Sequence, residues 1–132
     1  MSDLRQLHFS AVRAQRRAQK EVCGVLASDE HGRLELLFLA NRSQRAGRFT
    51  IARADYLRAR ESIRRMGKRV LGIFHSHPIS EAIPGRGDLA RTALNNFCLI
   101  YDVCGRKPRL WKIAKRSGRK VAKEVPLKSP LL

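Results

Sequence analysis

The stretch Val70-Leu71-Gly72-Ile73-Phe74-His75-Ser76-His77-Pro78 constrains this chain more than any other. Its continuous apolar run predicts a strand covered on both faces. Two histidines one residue apart at the end of that strand project to the same side, because side chains alternate across an extended backbone. They stand at the C-terminal end, where α/β sheets usually carry their chemistry. Asp88 follows ten residues past Pro78, after a loop that holds Pro84 and two glycines. Two imidazoles and a carboxylate are ligand types of a zinc site with three protein ligands and an open fourth position. A water in that position has its pKa lowered to about 7. Each residue also has a plainer role: His75 and His77 as ordinary strand-end residues, Asp88 as a carboxylate at a helix start. The combined spacing favours the metal.

The rest of the chain predicts a mixed α/β domain in the order α, β, β, α, β, α, β, β. Leu4, Leu7, Ala11, Ala14 and Ala18 recur at helical spacing. Val22 to Ala27 and Leu34 to Ala40 predict a hairpin around the turn Asp29-Glu30-His31-Gly32. Arg42 to Gly47 reads as a loop and Phe49-Thr50-Ile51 as a short strand. Tyr56, Ala59, Ile63 and Met66 predict a second helix ended by Gly67. A third helix is expected near Asp88, carrying Leu89, Ala93, Leu94 and Phe97. Cys98 to Val103 and Arg109 to Ile113 are the next strands, joined through Gly105, so most neighbours are expected to be hairpins. The basic segment 115–132 is expected to fray, with Val121 and Val125 as candidates for a last strand.

With 132 residues the chain is expected to form a single domain, residues 1–132. Twenty-eight Lys and Arg against 11 Asp and Glu give a net charge of +17. That balance favours acidic partners and allows nonspecific nucleic-acid binding, yet says nothing about fold. Aromatic residues are few, so no stacking platform for single strands is evident. Cys23 and Cys98 lie in apolar runs and, with Cys104, show no close paired spacing, which points to reduced thiols and a cytoplasmic protein. No apolar run reaches the roughly 18 residues of a membrane span, so no membrane association is expected. His8 and His31 have no patterned partners and read as surface or helix-face histidines. Oligomeric state is not legible.

Two motifs together resemble the JAMM (MPN-type) zinc metalloproteases, isopeptidases that include deubiquitinating enzymes and small prokaryotic relatives. One is His75-Ser76-His77-Pro78, six residues, the position of a family serine, two residues, then Asp88. The other is Glu21-Val22-Cys23-Gly24-Val25-Leu26, which looks like the family's glutamate-bearing strand. The resemblance covers about residues 4 to 113. It implies a curved mixed β-sheet flanked by helices, a cytidine-deaminase-like arrangement. It implies His75, His77 and Asp88 as ligands of one catalytic Zn2+ and Glu21 as the general acid/base. Outside the resemblance, Glu21 would read as a surface carboxylate paired with Lys20 or an arginine. The chain departs from the pattern at Gly85, which stands where the family has its serine near the oxyanion. A backbone amide, an ordered water or Ser80 is the candidate substitute.

The resemblance implies a zinc-dependent peptidase or isopeptidase in a minimal prokaryotic form. Its substrate would be an amide near the C-terminus of a ubiquitin-like or sulfur-carrier protein with a Gly-Gly tail. Two alternatives stand beside it. One is a catalytically weak binding module of the same fold, motivated by Gly85. The other is a basic nucleic-acid-associated protein, motivated by charge alone.

Overall fold

The computed structural model describes residues 1–18, 21–45, 48–77, 82–93 and 96–127, without the side chains at 15–18 and 91. Helix α1 (Leu4–Ala18) opens the chain, followed by strands β1 (Cys23–Ser28) and β2 (Leu34–Leu39). Helix α2 (Arg53–Arg65), strand β3 (Arg69–His77) and helix α3 (Arg86–Arg91) come next. Strands β4 (Phe97–Asp102), β5 (Lys107–Arg116) and β6 (Arg119–Val125) complete the order. The strands form one six-stranded sheet in the order β2-β1-β3-β4-β5-β6. This is the mixed α/β architecture expected, with helices flanking the sheet.

The sheet is antiparallel except at its centre. β3 and β4 run parallel, with His75 beside Ile100 and His77 beside Asp102. A parallel pair needs a crossover, and the segment containing α3 supplies it. The loop that must carry Asp88 is therefore forced to start at the end of the histidine strand.

Alternation divides the sheet into two faces. Leu26, Phe74, Leu99 and Leu110 pack against Leu4, Leu7 and Ala11 of α1. Val25 and Ala27 pack against Ala59 and Ile63 of α2 on the opposite face. Cys98, Ile100 and Trp111 form a smaller cluster with Ala82. Phe74 reaches its place because Gly24 has no side chain: a Cβ there would lie 2.6 Å from the Phe74 ring and 2.1 Å from the Leu37 carbonyl oxygen. Phe38 meets Phe74 edge-to-face at 5.0 Å, an arrangement worth about 0.5–1.5 kcal/mol beyond area burial.

Two elements differ from the expectation. Residues Phe49-Thr50-Ile51 join no strand. The Asn41 side chain takes the Thr50 N–H at 3.1 Å and the Arg48 carbonyl at 2.9 Å, groups that a sheet neighbour would otherwise claim. The third helix starts at Arg86, two residues before Asp88, and ends at Arg91, because Thr92 is already extended (φ −92°, ψ 125°) and Phe97 opens β4. Within segment 115–132, Val121 and Val125 do belong to a last strand, β6, which pairs with β5 from Arg119 to Val125, and residues 128–132 lie outside the described residues. No helix among the described residues is long and apolar enough to cross a membrane.

Candidate active site

His75 and His77 point from β3 to the face that also carries Ile100 and Trp111. His75 is fully buried, and the His77 side chain keeps 13% of its surface exposed. Their Nε2 atoms are 3.1 Å apart. Asp88, in the first turn of α3, turns its carboxylate to both: Oδ1 lies 3.1 Å from His75 Nε2 and Oδ2 lies 3.5 Å from His77 Nε2. Glu21, just before β1, is buried at 6% exposure. One of its carboxylate oxygens and one ring nitrogen of each histidine lie within 4.8 Å of one another. The burial of Glu21 corrects the surface-pair reading of that residue. Lys20, its suggested partner, is outside the described residues.

Backbone hydrogen bonds hold these side chains in relation. Val22 donates its N–H to Ser76 Oγ at 2.9 Å, and Ser76 returns its own N–H to the Val22 carbonyl at 3.0 Å. Glu21 and the two histidines thus flank a doubly bonded pair. Asn41 Nδ2 donates to the Glu21 carbonyl at 2.9 Å, so the loop after β2 is tied to the same point. That loop delivers Phe49, 4% exposed, whose ring stacks on His75 with centroids 4.4 Å apart and planes at 21°. On the other side, the segment before α3 is anchored where Trp111 Nε1 donates to the Ala82 carbonyl at 2.8 Å.

The donor set fits a divalent cation. A ring nitrogen is either an N–H donor or a lone-pair acceptor. The ionised Asp88 carboxylate accepts from both histidines. Two N–H groups would then face each other across 3.1 Å, and any other choice of tautomers sets a lone pair against the carboxylate. A cation taking a lone pair from each group removes the conflict. The separations also suit zinc: ligands at 2.0–2.1 Å in a tetrahedron are about 3.3–3.4 Å apart, against 3.1, 3.1 and 3.5 Å here. Burial alone would raise the Asp88 pKa. Hydrogen bonds from His75 and His77, the His75 charge and the Gly85 N–H reverse that and hold the carboxyl far below its ordinary value. Burial, then the Glu21 charge, push the neighbouring Cys23 thiol up to about 12.

Residues 6–114 match the family described as prokaryotic homologs of the JAB domain. The chain belongs to this family. A relative named desampylase from Pyrococcus furiosus is 36% identical over 98 residues, which is 74% of this chain and 61% of that protein. The chain therefore spans less than two thirds of that relative's length. Among solved structures, a protein from Desulfitobacterium hafniense superposes with TM-score 0.71 at 25% identity, covering 98% of this chain and 92% of that one. A Salinibacter ruber protein gives TM-score 0.61 at 23% identity, with 96% and 88% covered, and shows a shared fold.

Within this JAB domain Gly85 is the N-cap of α3, with φ −85° and ψ −179°. Its N–H donates to Asp88 Oδ2 at 2.8 Å. That amide is engaged with Asp88, which removes it from the candidates for an oxyanion donor. Ser80 lies outside the described residues. Phe49 and Asn41 are the site residues that sequence reasoning missed. Phe49 has the composition of a short strand, and Asn41 stands just before the loop at Arg42; only their position between the glutamate strand and the histidine strand hints at either role.

Proposed function

We propose that this chain is a zinc-dependent isopeptidase or peptidase acting on an amide at the C-terminal tail of a ubiquitin-like protein. The observation that carries the reading is the convergence of His75, His77 and Asp88 at 3.1–3.5 Å, with the Glu21 carboxylate beside them. Family membership supports the hydrolase class, and the relative named desampylase supports a small protein substrate.

His75, His77 and Asp88 would hold the zinc. Bound there, zinc supplies Lewis acidity to the scissile carbonyl and makes a water more acidic. Glu21 accepts the proton of the attacking water and delivers it to the departing amine. Its burial keeps it from bulk water. Phe49 covers one face of the His75 ring and fixes its plane. The Ser76–Val22 pair sets the distance between the proton acceptor and the ligand histidines.

Two variants test this. Glu21→Gln keeps stoichiometric zinc by elemental analysis and loses hydrolysis of a ubiquitin-like conjugate by at least about 10²-fold, the scale of a general acid/base. His77→Ala loses both zinc and hydrolysis. Undiminished turnover in Glu21→Gln would remove the mechanism. Gly85 favours a second reading, in which the same site binds substrate and turns over slowly, since no side-chain hydroxyl stands at that position.

A further inference from the structure

We infer that the β5–β6 hairpin is a binding arm for the phosphate backbone of duplex nucleic acid, separate from the active site. β5 outruns its inner neighbour: β4 pairs with β5 only as far as Phe97 opposite Lys112. Beyond that point residues 113–122 continue as a two-stranded ribbon closed by Ser117 (φ 51°) and Gly118 (φ 78°). Two successive positive φ values match the right-handed twist of a tight hairpin. From Lys112 to Lys123 the sequence holds six cations and no carboxylate: Lys112, Lys115, Arg116, Arg119, Lys120 and Lys123. All six are exposed.

Their register is the decisive feature. Lys112 lies directly opposite Lys123, Lys115 opposite Lys120, and Arg116 opposite Arg119. Like charges directly opposed across a strand pair are destabilising. Protection of the sheet edge by lysines accounts for cations on β6 alone, not for their repetition on the inner strand. Two of the six have internal contacts: Lys120 donates to the Leu89 and Thr92 carbonyls at 3.4 and 3.0 Å, and Lys112 Nζ lies 5.6 Å over the Phe97 ring. No ion pair joins any of the six to a carboxylate among the described residues. Strand alternation puts Lys112, Arg116, Arg119 and Lys123 on one face, that of Leu110 and α1, while His75 lies on the other. A partner on this face leaves the active site open.

A ribbon of this kind fits a duplex better than other polyanions. The major groove admits a two-stranded β-ribbon, and cations in facing pairs can reach phosphates on both sides of a groove. The arm has no aromatic residue between Lys112 and Lys123, so it lacks the stacking platform that single strands require. Without base-reading side chains, binding is expected to ignore sequence and fall steeply with salt.

The test is fluorescence anisotropy of a labelled 20-base-pair DNA duplex titrated with the full chain in chloride between 50 and 200 mM. The wild type is expected to show a log–log salt slope of about −4, given roughly 0.9 per phosphate contact. The variant K112Q/R116Q/R119Q/K123Q should bind about 10³-fold more weakly at 100 mM and lose most of that slope. The charge-matched control R53Q/R60Q/R64Q/R69Q, on α2 and the start of β3, should stay within about threefold of wild type. Lys123→Glu gives Lys112 an opposite partner, so it should raise Tm while weakening the duplex, a pairing of effects that misfolding cannot produce. Zinc content and hydrolysis should be unchanged in the arm variants. Equal losses in arm and control variants would overturn the proposal, as would an arm variant that binds like wild type. Displacement of the duplex by polyglutamate at equal charge concentration would overturn it in favour of an acidic protein partner.

Discussion

Asp88 shows how one side chain can carry two structural duties and advertise only one. Its Oδ1 faces His75, while its Oδ2 both faces His77 and accepts the Gly85 N–H. The spacing of His75, His77 and Asp88 is legible because a strand's alternation and a loop's length are written in sequence. The link to Gly85 is not, since it depends on α3 starting at Arg86 and not at Asp88. The consequence concerns Gly85→Ser. The Gly85 backbone is in an ordinary extended conformation, and an added Cβ would make only van der Waals contact at 3.8 Å with Asp88 Oδ2. A serine cap stabilises a helix start by a few tenths of a kcal/mol over glycine, so Tm should hardly move. If its hydroxyl meets the developing oxyanion, kcat should rise by up to about 10²–10³-fold, the worth of one such donor. An unchanged kcat, measured with zinc-loaded protein on a peptide substrate, would mean that Gly85 does not limit turnover.

At the scale of elements, the long periodic segments were readable and the short ones were not. The spacing of Leu4, Leu7 and Ala11 identifies α1, and Ala59 with Ile63 identifies α2, because one helical face must be buried. Phe49-Thr50-Ile51 has the composition of a strand, yet one amide side chain overrides it. Asn41 receives the N–H groups of Ser43 and Thr50 and donates to the carbonyls of Glu21 and Arg48. Four satisfied contacts from a single residue are a tertiary fact that local propensity cannot express. Arg42 adds a clamp to Asp55 at the start of α2, at 2.9 Å. Asn41→Ala should therefore loosen the loop that presses Phe49 on His75. The expected cost is about 1–3 kcal/mol, from backbone groups left without partners, read from urea denaturation. Zinc should remain bound, because no ligand changes, while kcat falls through misplacement of Glu21. Wild-type stability and kcat in that variant would show that the loop holds its position without Asn41.

At the scale of the molecule, the parallel β3–β4 pair was the least legible feature, since strand order depends on which edges meet and not on any local pattern. Charge was legible from the start, and its energetic sign can now be argued. Among the carboxylates, Asp3, Glu35, Asp55, Glu61 and Glu124 are each already engaged by a Lys or Arg neighbour. Most of these pairs are exposed, and such pairs contribute roughly 0–1 kcal/mol each. Against them stands a net charge of +17, with the opposed pairs of the β5–β6 arm at its densest point. Salt weakens both attraction and repulsion, so the sign of its effect tells which dominates. Raising chloride from 10 to 100 mM shortens the screening length from about 30 to about 10 Å. That reaches the long-range repulsion among scattered cations more than the contacts near 3 Å. Tm should therefore rise with added chloride, and rise less in K112Q/R116Q/R119Q/K123Q, where the closest opposed cations are gone. Chloride is the right salt, because sulfate and phosphate strengthen apolar burial on their own account. A Tm that falls over this range, measured by calorimetry on zinc-loaded protein, would show that surface ion pairs outweigh self-repulsion in this fold.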